Sequence, residues 1–425
     1  MRETRFPHDA SKYKRQIAFI FANIAVAGTI MAGSAFSSAI QAEAASRSCR
    51  STGNFSTWKS AFRHEALSRG VTRRTILGSF NPIVFDASII RRDRRQSFFS
   101  LSFADFSKRL VSRHRLKTGA RKLKKRASWF RRARQKFGVP GPVITAFWAL
   151  ESDFGAGISK QSLIFNSLAS LAFDCRRPEM FRGELLAALK IVDRGFLPAS
   201  RMTGSWAGEL GQTQFLPSHY LAHAVDADGD GYRDLTRSDP DIIMSTAKFI
   251  KHLGWRAGEP WLEEVRVPNR MPWREADLAI LHPRSKWAAL GVLKRSGRRL
   301  RADAMPAALL LPMGRNGPAF LAYQNFRIYP QWNQSLNYAI TAAYLATRLN
   351  GAPSYRSGNA PVTGFGYKQI KNIQRKLISH GFNTGGSDGK LGAKTRAAVK
   401  AAQIRYGLPA DSYPSQALIE RLRRR

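Results

Sequence analysis

Acidic residues are scarce in this chain. Asp and Glu number 29 against 69 Lys and Arg in 425 residues, which leaves a formal net charge of +40 at pH 7. That balance excludes a protein indifferent to polyanions and calls for an anionic partner: nucleic acid, anionic lipid or an acidic cell-wall polymer. Cysteine is scarcer still. Two residues exclude a disulfide-dense mini-scaffold and a four-thiolate zinc site. Twenty prolines and 33 glycines leave no room for a fibrous repeat. What is present is ordinary globular material: 44% hydrophobic and 23% charged residues, enough for two or three domains with a sizeable core.

The N-terminus narrows the partner. Arg2, Arg5, Lys12, Lys14 and Arg15 precede an uncharged stretch from Ile17 to Ile40, followed by Ala42-Glu43-Ala44. A basic segment, an apolar segment and a small-x-small site read as a secretory signal over residues 1–44, or as a retained N-terminal membrane anchor. Export places the protein in the periplasm and makes nucleic acid an improbable partner. It also makes Cys49 and Cys175 candidates for one disulfide.

Residues 45–350 read as one mainly α domain with few short strands. Trp58, Phe62, Ala66 and Leu67 repeat at helical spacing. Between Val111 and Lys136 lie twelve Lys or Arg and no acid, with Leu123, Trp129, Phe130 and Phe137 interleaved. That pattern predicts one basic amphipathic helix whose charged face is either solvated or binds a polyanion. Val143–Leu150 is apolar on all sides and predicts a buried helix opened by Pro140 and Pro142. Further helices are expected over 180–192, 241–255 and 333–350, with short strands at 265–267 and 309–311. Residues 351–366, rich in Gly, Pro and Ser, read as a linker. Residues 367–425 read as a small three-helix module.

Glu151 ends the apolar run. A carboxyl at the end of a buried helix loses hydration and holds its proton toward neutral pH, which suits a general acid. Asp153 sits two residues on and cannot share its helix face. Ordinary glycoside hydrolysis uses two carboxyl groups, and one is offered here. The bland alternative is a structural helix-end carboxylate.

Two stretches carry a resemblance. Ala149-Leu150-Glu151-Ser152-Asp153-Phe154-Gly155, after Val139-Pro140, and the segment from Gly204-Ser205-Trp206 through Gly211-Gln212-Thr213-Gln214-Phe215 to Tyr220 resemble the lytic murein transglycosylases of the membrane-bound lytic transglycosylase B type. Asn325-Phe326 and Trp332-Asn333 continue the likeness. The resemblance implies a lysozyme-like catalytic domain and cleavage of the β-1,4 bond between N-acetylmuramic acid and N-acetylglucosamine, with a 1,6-anhydro product. It implies Glu151 as acid and then base, and substrate contacts at Ser205, Gln214, Trp332 and Asn333. Tyr220 either lines the groove or is a core residue with its hydroxyl on backbone. Trp332 and Phe249 stand where tyrosines are usual, keeping a stacking face without the phenol. No cofactor is required by this chemistry.

Asp226-x-Asp228-Gly-Asp230-Gly-Tyr232 has the opening spacing of a calcium-binding loop. Arg237 occupies the twelfth position where a bidentate Glu belongs, so Asp241 or Asp239 would have to substitute. The alternatives are a weak structural calcium site or an Asp/Gly turn held by its own side chains. The C-terminal module resembles a peptidoglycan-binding domain, on Ile373-Gln374, Gly381-Phe382, Asp388-Gly389, Gly392-x-x-Thr395, Gln403 and Gly407-Leu408. Ala402 stands where phenylalanine is usual, implying a shallower groove. The whole reads as an exported monomeric enzyme acting on peptidoglycan strands. The alternative is a catalytically inactive wall-binding scaffold.

Overall fold

The structure is a computed structural model that describes residues 53–94, 101–158 and 162–423. Cys49 and the apolar stretch 17–40 lie outside the described residues. Helices dominate. In chain order they are α1 (Phe55–Ser68), α2 (Ala87–Arg94), α3 (Phe103–Leu110), α4 (Arg113–Lys125), α5 (Ala127–Phe137), α6 (Gly141–Ser152), α7 (Ile164–Phe173), α8 (Pro178–Asp193), α9 (Pro217–His223), α10 (Asp239–His252), α11 (Leu336–Leu349), α12 (Tyr367–Ser379), α13 (Ala393–Arg405) and α14 (Gln416–Arg421), with shorter turns between them. Among the described residues no helix is long and apolar enough to cross a membrane. The mainly α fold class holds.

The chain divides into two compact units. Among the described residues the first comprises 53–94, 125–137, 147–158 and 162–249. Its core is built where α7 packs on α8 and α8 on α9. Leu168, Ala169, Leu185, Ala188 and Leu189 are fully buried there. Glu184 on α8 accepts the Ser218 backbone N–H and hydroxyl, both at 2.8 Å, and so caps the first turn of α9 behind Pro217. A two-residue antiparallel ribbon pairs β1 (Ser162–Leu163) with β2 (Thr203–Gly204), in register Ser162 to Gly204. The single basic helix expected up to Lys136 is two helices, α4 and α5. They break at Arg126, which donates to Asp239 at 2.8 Å. No Gly or Pro marks that break, so the charge pattern could not show it.

Among the described residues the second unit comprises 101–124, 138–146 and 250–423. Its centre is a five-stranded antiparallel sheet in the order β4-β6-β7-β3-β5, formed by β3 (Leu262–Arg266), β4 (His282–Pro283), β5 (Leu293–Lys294), β6 (Pro306–Leu310) and β7 (Ala319–Tyr323). Two of the five were expected as isolated strands. Trp273, Trp287, Val292, Leu309 and Leu321 form the core on one side of it.

The segment 351–366, expected as a linker, is mostly exposed but is anchored at a few points. Tyr355 packs edge-on against Tyr344 and tilted against Phe103, with ring centroids 5.0 and 5.4 Å away, and its hydroxyl lies 3.0 Å from that of Ser107. Asn359 donates its amide to the Val267 carbonyl at 2.9 Å. The three-helix module then closes on Ile370, Ile373, Leu377, Val399, Ala402 and Leu418. It is fastened to the rest of the unit. Arg396 donates to the Pro312 carbonyl at 2.6 Å, Lys400 pairs with Asp277 at 2.7 Å, and Asp411 accepts the Arg315 backbone N–H at 3.0 Å. Composition reports the glycines and prolines of this segment but not its aromatic and amide anchors.

Candidate active site

Helix α6 positions Glu151. From Val143 to Leu150 every residue is at most 1% exposed, and Glu151 itself is 2% exposed. An apolar surface all round is stable only when enclosed, so the helix delivers its terminal carboxyl to a dry place. The chain must then turn sharply. Asp153, Phe154 and Gly155 adopt φ of 54°, 60° and 92°, three left-handed residues in succession, two of them with a Cβ. Such backbone costs of order 1–3 kcal/mol per non-glycine residue and persists only where neighbours over-determine it. Here they do. The Asp153 N–H returns to the Ala149 carbonyl at 3.0 Å, and the Gly155 N–H reaches the Ser152 hydroxyl at 3.0 Å.

The clamp on this turn is Gln212. Its Oε1 accepts the Trp148 indole N–H at 2.6 Å, and its Nε2 donates to the Thr236 carbonyl at 2.7 Å. A Cβ at position 155 would meet the Gln212 carboxamide at 2.9 Å, so the contact demands glycine in space as well as in φ. Trp148 packs edge-on against Phe154, with ring centroids 5.8 Å apart. Gln212 thus ties the last turn of α6 to the glycine-rich loop. Sequence reasoning quoted it inside a motif and gave it no role. A polar residue between glycines carries no periodic signal, and only its two-sided hydrogen bonding reveals the function.

The loop between β2 and α9 holds the other expected residues of this unit. Gly204 admits no side chain, because a Cβ would lie 2.0 Å from the Glu209 carbonyl. Ser205 accepts the N–H groups of Ala207 and Glu209 and donates its hydroxyl to Glu209 Oε2 at 2.9 Å. Its hydrogen-bonding capacity is therefore committed inside the loop. Glu209 is 1% exposed, and burial pushes its carboxyl up to about 8 against the opposing effects of the Ser205 hydroxyl and the Arg177 charge. Gln214 takes φ of 50° and donates from Nε2 to the Gly211 carbonyl at 2.7 Å.

Tyr220 departs from the groove position expected as one alternative. It is wholly buried and its hydroxyl donates to the Arg233 carbonyl, so it is a core residue of α9. Burial raises its phenol well above the ordinary range. Phe249 lies within an aromatic cluster with Phe215 and His219, at centroid separations of 5.2 and 4.5 Å. Trp332 and Asn333 belong to the second unit. They are 5% and 1% exposed, and Asn333 Oδ1 accepts the Ser335 N–H at 2.9 Å in front of α11. Cys175 is disulfide-bonded.

In the acidic loop, Asp226, Asp228 and Asp230 each bring a carboxylate oxygen within 4.8 Å of the others. Asp226 also accepts the N–H groups of Gly229 and Gly231, at 2.7 and 3.0 Å. Three converging hard oxygens suit a divalent cation such as calcium. One expected ligand does not join them. Asp241 is fully buried and spends both oxygens on the N–H groups of Ala227 and Asp234, each at 2.7 Å, while burial pushes its carboxyl up to about 6. Tyr232 offers its N–H to Asp230, and its ring lies 4.8 Å from the Arg201 guanidinium.

Comparisons with known proteins agree with this geometry. A family described as Transglycosylase SLT domain matches residues 54–347, and one described as Putative peptidoglycan binding domain matches residues 366–422. The membrane-bound lytic murein transglycosylase B of Escherichia coli (strain K12) is 31% identical over 211 residues, which are 49% of this chain and 56% of that protein. The chain thus spans little more than half the length of that relative. The structure of SltB3 from Pseudomonas aeruginosa in complex with NAG-NAM-pentapeptide is 37% identical, with a TM-score of 0.79, covering 87% of this chain and 99% of that one. The Escherichia coli lytic transglycosylase Slt35 in complex with calcium is 25% identical, with a TM-score of 0.56, over 69% of this chain and 92% of that one. The first of these matches spans more than half of the chain: the chain belongs to the Transglycosylase SLT domain family, among the lytic transglycosylases of the membrane-bound lytic transglycosylase B type, with a C-terminal peptidoglycan-binding domain.

Proposed function

We propose that the chain cleaves the β-1,4 bond between N-acetylmuramic acid and N-acetylglucosamine in peptidoglycan, with Glu151 as the single acid and base. The carrying observation is the burial of Glu151 at the end of an apolar helix whose turn is clamped by Gln212. A protonated Glu151 donates its proton to the glycosidic oxygen as the C1–O bond breaks. The resulting carboxylate takes the proton of the muramyl C6 hydroxyl as that oxygen bonds to C1. No water is consumed, and the product is a 1,6-anhydro sugar. Intramolecular attack has a high effective molarity and needs no second carboxylate to activate water. Glu209 supports this reading, since a buried carboxyl raised to about 8 is mainly neutral at pH 7 and is no general base.

Gln214 contacts the glycan in this reading, and Ser205 shapes the loop through Glu209. Calcium, where bound, rests on Asp226, Asp228 and Asp230 and stiffens the loop before α10 without entering the reaction. The protein works as a periplasmic monomer, with residues 1–44 directing export or anchoring, residues 45–350 catalytic and residues 367–425 holding the wall. A bridge between Cys175 and Cys49 ties the start of the mature chain to the turn after α7. Digestion of purified sacculi with wild type and Glu151→Gln, with products weighed by mass spectrometry, tests the central claim. Wild type is expected to release products lighter by one water than hydrolytic ones, and Glu151→Gln to release almost none. Equal release by both, or hydrated products, sinks it. Binding without release by either points to a scaffold.

A further inference from the structure

Helix α4 contains no acidic residue. Arg113, Lys117, Arg121 and Lys124 recur at i, i+4, i+8 and i+11. With 3.6 residues per turn these positions fall within an arc of about 80°, over a length of about 17 Å. All four are exposed. Among the described residues none of the four has an ion-pair partner, and Arg121 donates only to the Thr118 hydroxyl of its own helix, at 3.0 Å. The helix sorts its cations. Arg115, on the buried side, donates to the Leu110 carbonyl at 3.0 Å, while the outward row is left uncompensated. Like charges four residues apart weaken a helix, and this row repeats that arrangement twice. An anionic surface laid along it would relieve the repulsion.

We infer that this row is a docking surface for an anionic bilayer, whose phosphate headgroups neutralise Arg113, Lys117, Arg121 and Lys124 together. The row is straight and lies on the convex face of a helix, which fits a plane of headgroups better than the concave site a threaded glycan requires. No large apolar side chain of α4 is exposed, so the contact is adsorption and not insertion. Such adsorption is weak alone and gains from a second membrane-directed signal. The uncharged stretch Ile17–Ile40 behind a basic segment supplies one in the sequence. The docking does not depend on the reaction assigned to Glu151.

The test is co-sedimentation of the full chain with vesicles of phosphatidylcholine alone and of phosphatidylcholine mixed with phosphatidylglycerol. The readout is the gain in partitioning when the anionic lipid is added. A variant with Arg113→Gln, Lys117→Gln, Arg121→Gln and Lys124→Gln is compared with a matched one carrying Lys368→Gln, Arg375→Gln, Lys394→Gln and Arg421→Gln. The second set removes the same charge from exposed positions of the C-terminal module. The α4 variant is expected to lose about ten- to a hundred-fold of the gain, the matched variant no more than about two-fold, and added salt to erase the wild-type gain. Circular dichroism confirms that both fold. Equal losses in the two variants would reduce the effect to bulk charge and overturn the inference. So would an undiminished gain in the α4 variant, or a loss of sacculus retention with vesicle binding intact.

Discussion

Hydrogen-bonded glutamines hold the backbone in two regions of this molecule, and they hold different things. In the wall-binding module, Gln374 donates to Asp388, Lys390 and Thr395 and accepts the Gly389 N–H, while Gln403 donates to Asp411 and the Tyr413 carbonyl. Each gathers a turn near its own helix. At the end of α6, Gln212 reaches 64 residues back to Trp148 and 24 forward to Thr236, and the backbone it guards is left-handed at three consecutive positions. The first pair keeps a small fold closed. The second keeps an unfavourable turn in place beside a buried carboxyl. One side chain serves stability in one region and geometry in the other.

Substitutions can break that contrast. The largest effect belongs to the carboxyl itself: Glu151→Gln should lower sacculus turnover by about 10²- to 10⁴-fold, measured as soluble muropeptide release, with the melting temperature little changed. Gln212→Leu comes next. It frees the turn after α6 and should cut kcat by about 10²-fold while sacculus retention stays intact. Gln403→Leu should do the reverse, lowering the melting temperature through about 1–3 kcal/mol for each buried partner left unpaired, with much smaller loss of kcat. If the two leucine variants behave alike, the distinction between the regions fails.

Two smaller effects sharpen it. Burial raises Glu209 from 4.5 to about 8 in the folded chain. Between those values the folded state holds a proton that the unfolded state has released, so stability falls as pH rises through that window and levels off above it. Glu209→Gln lacks the titration. Its melting temperature should gain on wild type from pH 5 to pH 8, and parallel curves would contradict the assignment. Calcium should act least. Adding it to the apo protein should raise the melting temperature by a few degrees, and Asp228→Asn should abolish that rise without changing turnover at saturating substrate.

Legibility followed periodicity. Glu151 stood out because a run with seven apolar residues of eight has no surface position to occupy. Helices α8, α10 and α11 appeared within a few residues of their expected bounds for the same reason. The sheet was only partly visible. β4 and β5 have two residues each, too few for any alternation, and they exist because β6 and β3 offer edges to pair with. Polar residues with two-sided bonding were the blind spot. Gln212, Glu184 and Glu209 show no pattern in the chain, because their partners lie far off in sequence or inside irregular loops. The chain leaves Tyr220 open between groove and core, and its burial and its hydroxyl on the Arg233 carbonyl make it core.

The anchored strap at 351–366 bears on how this protein meets its target. A floppy tether would let a wall anchor and its companion sheet sample a wide search radius, with local encounter set by polymer statistics. Tyr355, Asn359, Arg396 and Lys400 remove that freedom. The C-terminal module has a fixed bearing on the sheet beneath it, so the spacing at which a glycan strand can be gripped is a property of the fold and cannot be lengthened by adding glycines to the strap without first prising the module loose.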